Sequence, residues 1–159
     1  MGFLHKRVKS ANGVKLSINL WAPFLFSGIK IEEISENFRS IKVSLRQRFY
    51  NRNYFGTHFG GSLFAMVDPF FMLMVIRNLS EHYYVWDKQG QIEFVKPGIG
   101  TVSSHLLLND EDIVTIVAQT KSGHKYEPIF KSDIINEQGE VIARYEKQLY
   151  IRLKPPFRP

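Results

Sequence analysis

The residues best suited to chemistry lie together in the middle of the chain. Asn53, Gly56, Thr57, His58, Phe59, Gly60, Gly61 and Ser62 run straight into an apolar stretch that carries one acid, Asp68. Adjacent glycines at a helix start let a second backbone or a ligand approach closely, and the first-turn N–H groups are unpaired donors at the positive end of the helix dipole. Such a place can hold an anion, or the oxyanion that forms when a thioester carbonyl is attacked. The same pair also suits a helix that merely packs closely. Asp68 follows about two helical turns later. A carboxylate in apolar surroundings must be paired, hydrogen-bonded or protonated, and such surroundings favour a general base. The structural alternative is a kink, because Pro69 removes one helical hydrogen bond and disfavours helical geometry at the residue before it.

These groups need a helix held against a sheet. Residues 62–76 are apolar except for Ser62 and Asp68. With Asp-Pro at its centre the stretch is too short and too polar to span a bilayer, so it predicts a long buried helix, wrapped by protein on nearly all sides. Ile41, Val43 and Leu45 alternate with Lys42, Ser44 and Arg46, marking a strand with one buried face. Further strands are expected over 83–86, 91–96, 101–108, 126–135 and 141–153. In the last, Val141, Ala143, Tyr145, Leu149 and Ile151 share one face, and residues 136–140 form a Gly-containing hairpin loop before it. Asn109 followed by Asp110, Glu111 and Asp112 reads as a helix start, and Gly123 as its end, which predicts a short helix over 110–121. Its β-branched run, Ile113 to Val117, suits a strand equally. The sum is a single α+β domain over 1–159, a long central helix against a mainly antiparallel sheet, with a basic segment over about residues 1–28.

Composition narrows the function. The 159 residues include 13 Phe, 7 Tyr and 2 Trp, which excludes a disordered or fibrous chain. The absence of cysteine removes thiol catalysis, thiolate metal sites and disulfides, and fits a reducing, cytoplasmic setting. All of the +6 net charge lies in residues 1–48, including Lys6, Arg7, Lys9 and Lys15. A nucleic-acid binder spreads its basic face across several elements, so the excess reads as a solvated terminal segment, with polyanion or membrane-surface contact as the alternative. Ser17, Asn19 and Pro23 interrupt the apolar run that follows, which argues against a secretory signal. The five histidines form no i,i+4 pair, so no metal is expected. Gly60 to Phe64 falls one residue short of a serine nucleophile elbow, and there is no phosphate-binding Gly-rich loop.

The block Asn53-x-x-Gly56-Thr57-x-x-Gly60-Gly61 followed by Asp68 resembles the signature of the hot-dog-fold acyl-CoA thioesterases. Val85-Trp86-Asp87, the Ile92 to Gly98 stretch and the terminal Tyr150-Ile151-Arg152 strand continue the likeness. It covers about residues 21–153 and is nearest a branch catalogued as a domain of unknown function, described as tetrameric acyl-CoA thioesterase-like. The resemblance implies a hot-dog fold in which the Gly60 N–H polarises the thioester carbonyl and Asn53 orients the acyl group or water. By the same resemblance Asp68 would match the carboxylate that acts as general base, or less often as nucleophile, normally across a dimer interface. Thr57, His58, Phe59, Gly61 and Lys96 then border the substrate, with Lys96 placed to meet a coenzyme phosphate. Phe59 stands where relatives place histidine, and one residue turns His58 by about 100° on a helix.

The activity expected is hydrolysis of an acyl-CoA or acyl carrier protein thioester in fatty acid metabolism. The aromatic residues from Phe49 to Phe71 either shelter the acyl chain or pack in the core. No bound cofactor is needed, since coenzyme A arrives with the substrate. The expected assembly is a homodimer or homotetramer, without nucleic acid or stable membrane insertion. Two alternatives are a non-catalytic acyl-CoA-binding module and a 3-hydroxyacyl thioester dehydratase. The dehydratase shares His58-Phe59-Gly60 but needs an acid about four turns on, where this chain has Met72.

Overall fold

The computed structural model describes residues 10–159. In chain order come α1 (Ala11–Asn19), α2 (Ala22–Ser27), β1 (Ile29–Ile34), β2 (Ser40–Arg46), α3 (Gly60–Ala65), α4 (Phe70–Asn78), β3 (Tyr83–Phe94), β4 (Thr101–Leu107), α5 (Asp110–Thr120), β5 (Ile129–Asn136), β6 (Val141–Leu153) and a 3₁₀ turn, Pro155–Phe157. The six strands form one antiparallel sheet in the order β1-β2-β4-β5-β6-β3. The alternation expected of β2 is present, with Ile41, Val43 and Leu45 fully buried. They meet Val102 and Leu106 of β4, Ile134 of β5, and Tyr145, Leu149 and Ile151 of β6 in one core beneath α3 and α4.

The long central helix is two helices. Pro69 has no N–H to donate, and over residues 66–69 the ladder shifts to tighter bonds, with Val67 N–H on Phe64 O and Phe70 N–H on Val67 O. Asp68 sits in this break. Phe70, Phe71, Met74 and Val75 of α4 are buried, with Phe71 stacked on Phe130 of β5. By length and composition the run Gly60–Asn78 could cross a membrane, but its break and its packing beneath the sheet make it the core helix of this domain.

The strands expected over 83–86 and 91–96 are one twelve-residue strand, β3, continuous through a bulge between Asp87 and Gln89. β5 starts at Ile129, and Tyr126 makes only an isolated bridge to Ile151. Residues 110–120 are helical despite their β-branched run. The Asp112 carboxylate accepts from the Asn109 N–H at 2.8 Å, and Arg39 ties down both Asn109 O and Asp110.

The N-terminal segment differs from expectation. Lys6, Arg7 and Lys9 lie outside the described residues, but from Ser10 onward the chain is folded. Ser10 caps α1, while Ala11, Val14 and Phe24 enter the core, Phe24 edge-on to Phe70. Asn19, one of the residues that interrupt the apolar run, closes the outer edge of β1. Its amide donates to Ile31 O at 3.0 Å and accepts from Ile31 N–H at 2.7 Å.

Candidate active site

Asp68 is held by β6. Its Oδ1 accepts from the Tyr145 hydroxyl at 3.0 Å and from the Lys147 ammonium at 2.7 Å. Lys147 also pairs with Asp87 of β3 at 2.8 Å. The Lys147 side chain is only 2% exposed, whereas the two carboxylates are 36% and 37% exposed. The cation is therefore enclosed, while both anions reach solvent. Lys147 has the register of Tyr145 and Leu149, so strand geometry directs it inward, where a lysine is tolerated only when paired. Burial, reinforced by the Asp68 and Asp87 carboxylates, holds the Tyr145 hydroxyl above the ordinary tyrosine range, so it stays protonated and donates. Phe64 of α3 stands edge-on to Tyr145, and a Cβ on Gly90 of β3 would lie 2.7 Å from the Phe64 ring. Glycine there lets β3 close over the cluster.

The start of α3 forms a second feature. Phe59 is the N-cap residue, and its carbonyl accepts from both Ser62 N–H and Leu63 N–H. The Gly60 and Gly61 N–H groups, which precede the first intrahelical bonds, are free to donate to a ligand. A Cβ on Gly60 would meet the Phe94 ring at 2.9 Å, and one on Gly61 the Phe59 ring at 2.4 Å. The pair thus serves close approach of two aromatic rings. An open groove of about 380 Å³ lies beside it, lined by Asn53, Thr57, His58, Gly60, Leu63 and residues 94–98.

Five expected residues therefore border one groove: Asn53, Thr57, His58, Gly60 and Lys96. Within one chain Asp68 does not line it. Asn53 is engaged by its own loop, its amide donating to Thr57 Oγ1 and His58 O while its carbonyl accepts from the Phe55 and Thr57 N–H groups. It shapes the approach to Gly60. His58 is buried, with its N–H on Gly98 O and its ring Nε2 on Gly100 O at 3.1 Å. A carbonyl partner makes Nε2 the protonated nitrogen, which leaves buried Nδ1 as an unpaired acceptor. Burial lowers its pKa, so His58 is a neutral clamp on the 97–100 loop. Lys96 is paired with Glu140 at 2.7 Å. The aromatic stretch divides: Phe70 and Phe71 are core, whereas Phe49, Tyr50, Tyr54, Phe55 and Phe59 are exposed. Among the described residues no three His, Asp or Glu side chains converge to hold a metal ion.

Tyr145, Lys147 and Asp87 were not anticipated as site residues. The signal lay in the β6 alternation, where Lys147 interrupts an otherwise apolar face.

Residues 12–151 match the family described as a domain of unknown function, DUF4442. The chain belongs to this family. Solved structures share the fold of this chain. A Pseudomonas aeruginosa protein of unknown function, described as a probable thioesterase, superposes with a TM-score of 0.77 at 19% identity, covering 88% of this chain and 93% of that one. A Haemophilus influenzae thioesterase gives 0.66 at 15%, covering 93% and 94%. The Escherichia coli PaaI protein of the phenylacetic acid degradation operon gives 0.63 at 17%, covering 96% and 97%. The DUF4442 chain thus has the hot-dog fold of thioesterases. No curated protein matches it.

Proposed function

We propose that this protein is a cytoplasmic acyl-CoA thioesterase that works as a homodimer, alone or paired into a tetramer. The observation that carries this reading is Asp68. It is an acid placed by a helix break, with one oxygen anchored by Tyr145 and Lys147 and the carboxylate still reaching solvent. An anchored carboxylate with a free oxygen can orient water and take its proton. The Gly60 N–H supplies an oxyanion donor at the head of the groove. Because Asp68 does not line the groove of its own chain, the two halves meet when β3 edges of two copies pair, Gly60 of one subunit facing Asp68 of the other. The attack of water on the carbonyl gives a tetrahedral oxyanion, and its collapse expels the coenzyme A thiolate and leaves the fatty acid. The Phe94 and Leu63 walls of the groove suit an acyl chain, and no cofactor is required.

The test is release of free thiol from short- to long-chain acyl-CoAs. Asp68→Asn should lower kcat by about 10² to 10⁴. Failure of the native protein to release thiol across the panel contradicts the reading. The non-catalytic alternative is favoured by one observation, the two donors already on Asp68 Oδ1, and it predicts saturable acyl-CoA binding without turnover.

A further inference from the structure

The outer face of the N-terminal helices has the wrong polarity for water. α1 buries Ala11 and Val14 but turns Leu16 and Leu20, one helical repeat apart, away from the core. α2 buries only Phe24 and leaves Leu25 and Phe26 outside, with Trp21 between the helices. These five large apolar side chains are 50% to 73% exposed within eleven consecutive residues, where a solvated helix face carries charges. Leu25 borders a groove of about 460 Å³ whose wall also includes Lys30, Glu32, Arg46, Arg48 and Tyr50. Lys30 is paired with Glu32, but the guanidinium groups of Arg46 and Arg48 have no partner among the described residues. The whole positive excess of the chain falls in its first 48 residues.

We infer that the outer face of α1 and α2, together with the Arg46–Arg48 groove, docks on an anionic phospholipid surface. Leu, Phe and Trp side chains enter the boundary between headgroups and acyl chains, and the adjoining arginines meet lipid phosphates. A self-associating face would bring Arg46 and Arg48 against their own copies, which like charge opposes. Nucleic acid matches the arginines but leaves the apolar side chains in water. The face belongs to the β1 end of the sheet, so it stays free when β3 pairs.

The test is co-sedimentation of the full chain with vesicles of phosphatidylcholine alone or mixed with phosphatidylglycerol. Binding is expected to the mixed vesicles and to weaken with added salt. The double variant R46Q/R48Q should bind roughly thirtyfold more weakly, from about one kcal/mol per surface cation. L25S/F26S should lose binding while keeping the native melting temperature, because both side chains are exposed. Three results overturn the inference: no binding of the native chain to either vesicle, native-like binding by both double variants, or a changed molar mass in L25S/F26S, which makes the face a contact between copies.

Discussion

The two edges of the sheet are finished in opposite ways. At β1 the strand edge is closed from within: Asn19 satisfies both outward groups of Ile31, Lys15 donates to Glu32 O, and α1 and α2 lie alongside. At β3 twelve residues form an edge with no strand beyond it among the described residues, and Tyr84, Trp86 and Phe94 are exposed. A long exposed edge is a template for pairing, and natural sheets that stay single guard theirs. This chain guards one edge and leaves the other open, and the candidate chemistry gathers at the open one. Asp87, Gly90 and Phe94, which wall the Asp68 cluster and the Gly60 groove, all belong to β3.

The largest expected effect breaks the open edge. Trp86→Lys places a charge where a second copy is proposed to pair, and light scattering should find a monomer without thioesterase activity; a native mass would show that pairing lies elsewhere. Lys147→Met tests the link between Asp68 and the edge. It leaves two carboxylates facing each other, and urea unfolding should report a loss of about 2 kcal/mol, smaller than for a fully buried pair because both reach solvent. Adding Asp87→Asn should restore part of that loss. At the closed edge, Asn19→Ala strands the Ile31 N–H and should cost about 1 kcal/mol by the same measurement, with oligomer and activity unchanged.

The smallest effect concerns acid. Burial disfavours charged His58, so its folded pKa lies below the ordinary value of 6.5. The unfolded chain takes up that proton first, so this contribution is full above about 6.5 and declines as pH falls toward the folded value. His58→Gln keeps a donor for Gly100 O and should flatten the fall in melting temperature below that pH.

The strands with one buried face were legible because β2, β4 and β6 alternate cleanly, and α5 because its acids cluster at one end. The β1 end was not. Asn19 and Pro23 read as interruptions, yet Asn19 is a side-chain substitute for a strand partner and Pro23 lies in the first turn of α2. The division of residues 62–76 was visible only as Pro69, since a missing donor does not say whether a helix bends or stops. Gly60 and Asp68 were singled out from local chemistry. Lys147 was not, because its role depends on Asp68 and Asp87, far away in sequence and adjacent only in the folded sheet.

Complementation tests directly whether the site is shared across the β3 edge. Gly60→Pro removes the N–H at a first-turn position that accepts proline, after an extended Phe59, with the exposed Phe94 ring turning aside from the added Cβ, and Asp68→Asn removes the base. Each should be inactive alone. If the two halves meet between copies, mixing the variants under conditions that exchange subunits restores thiol release, because each mixed dimer holds one intact site. A mixture that stays as inactive as its components contradicts a shared site.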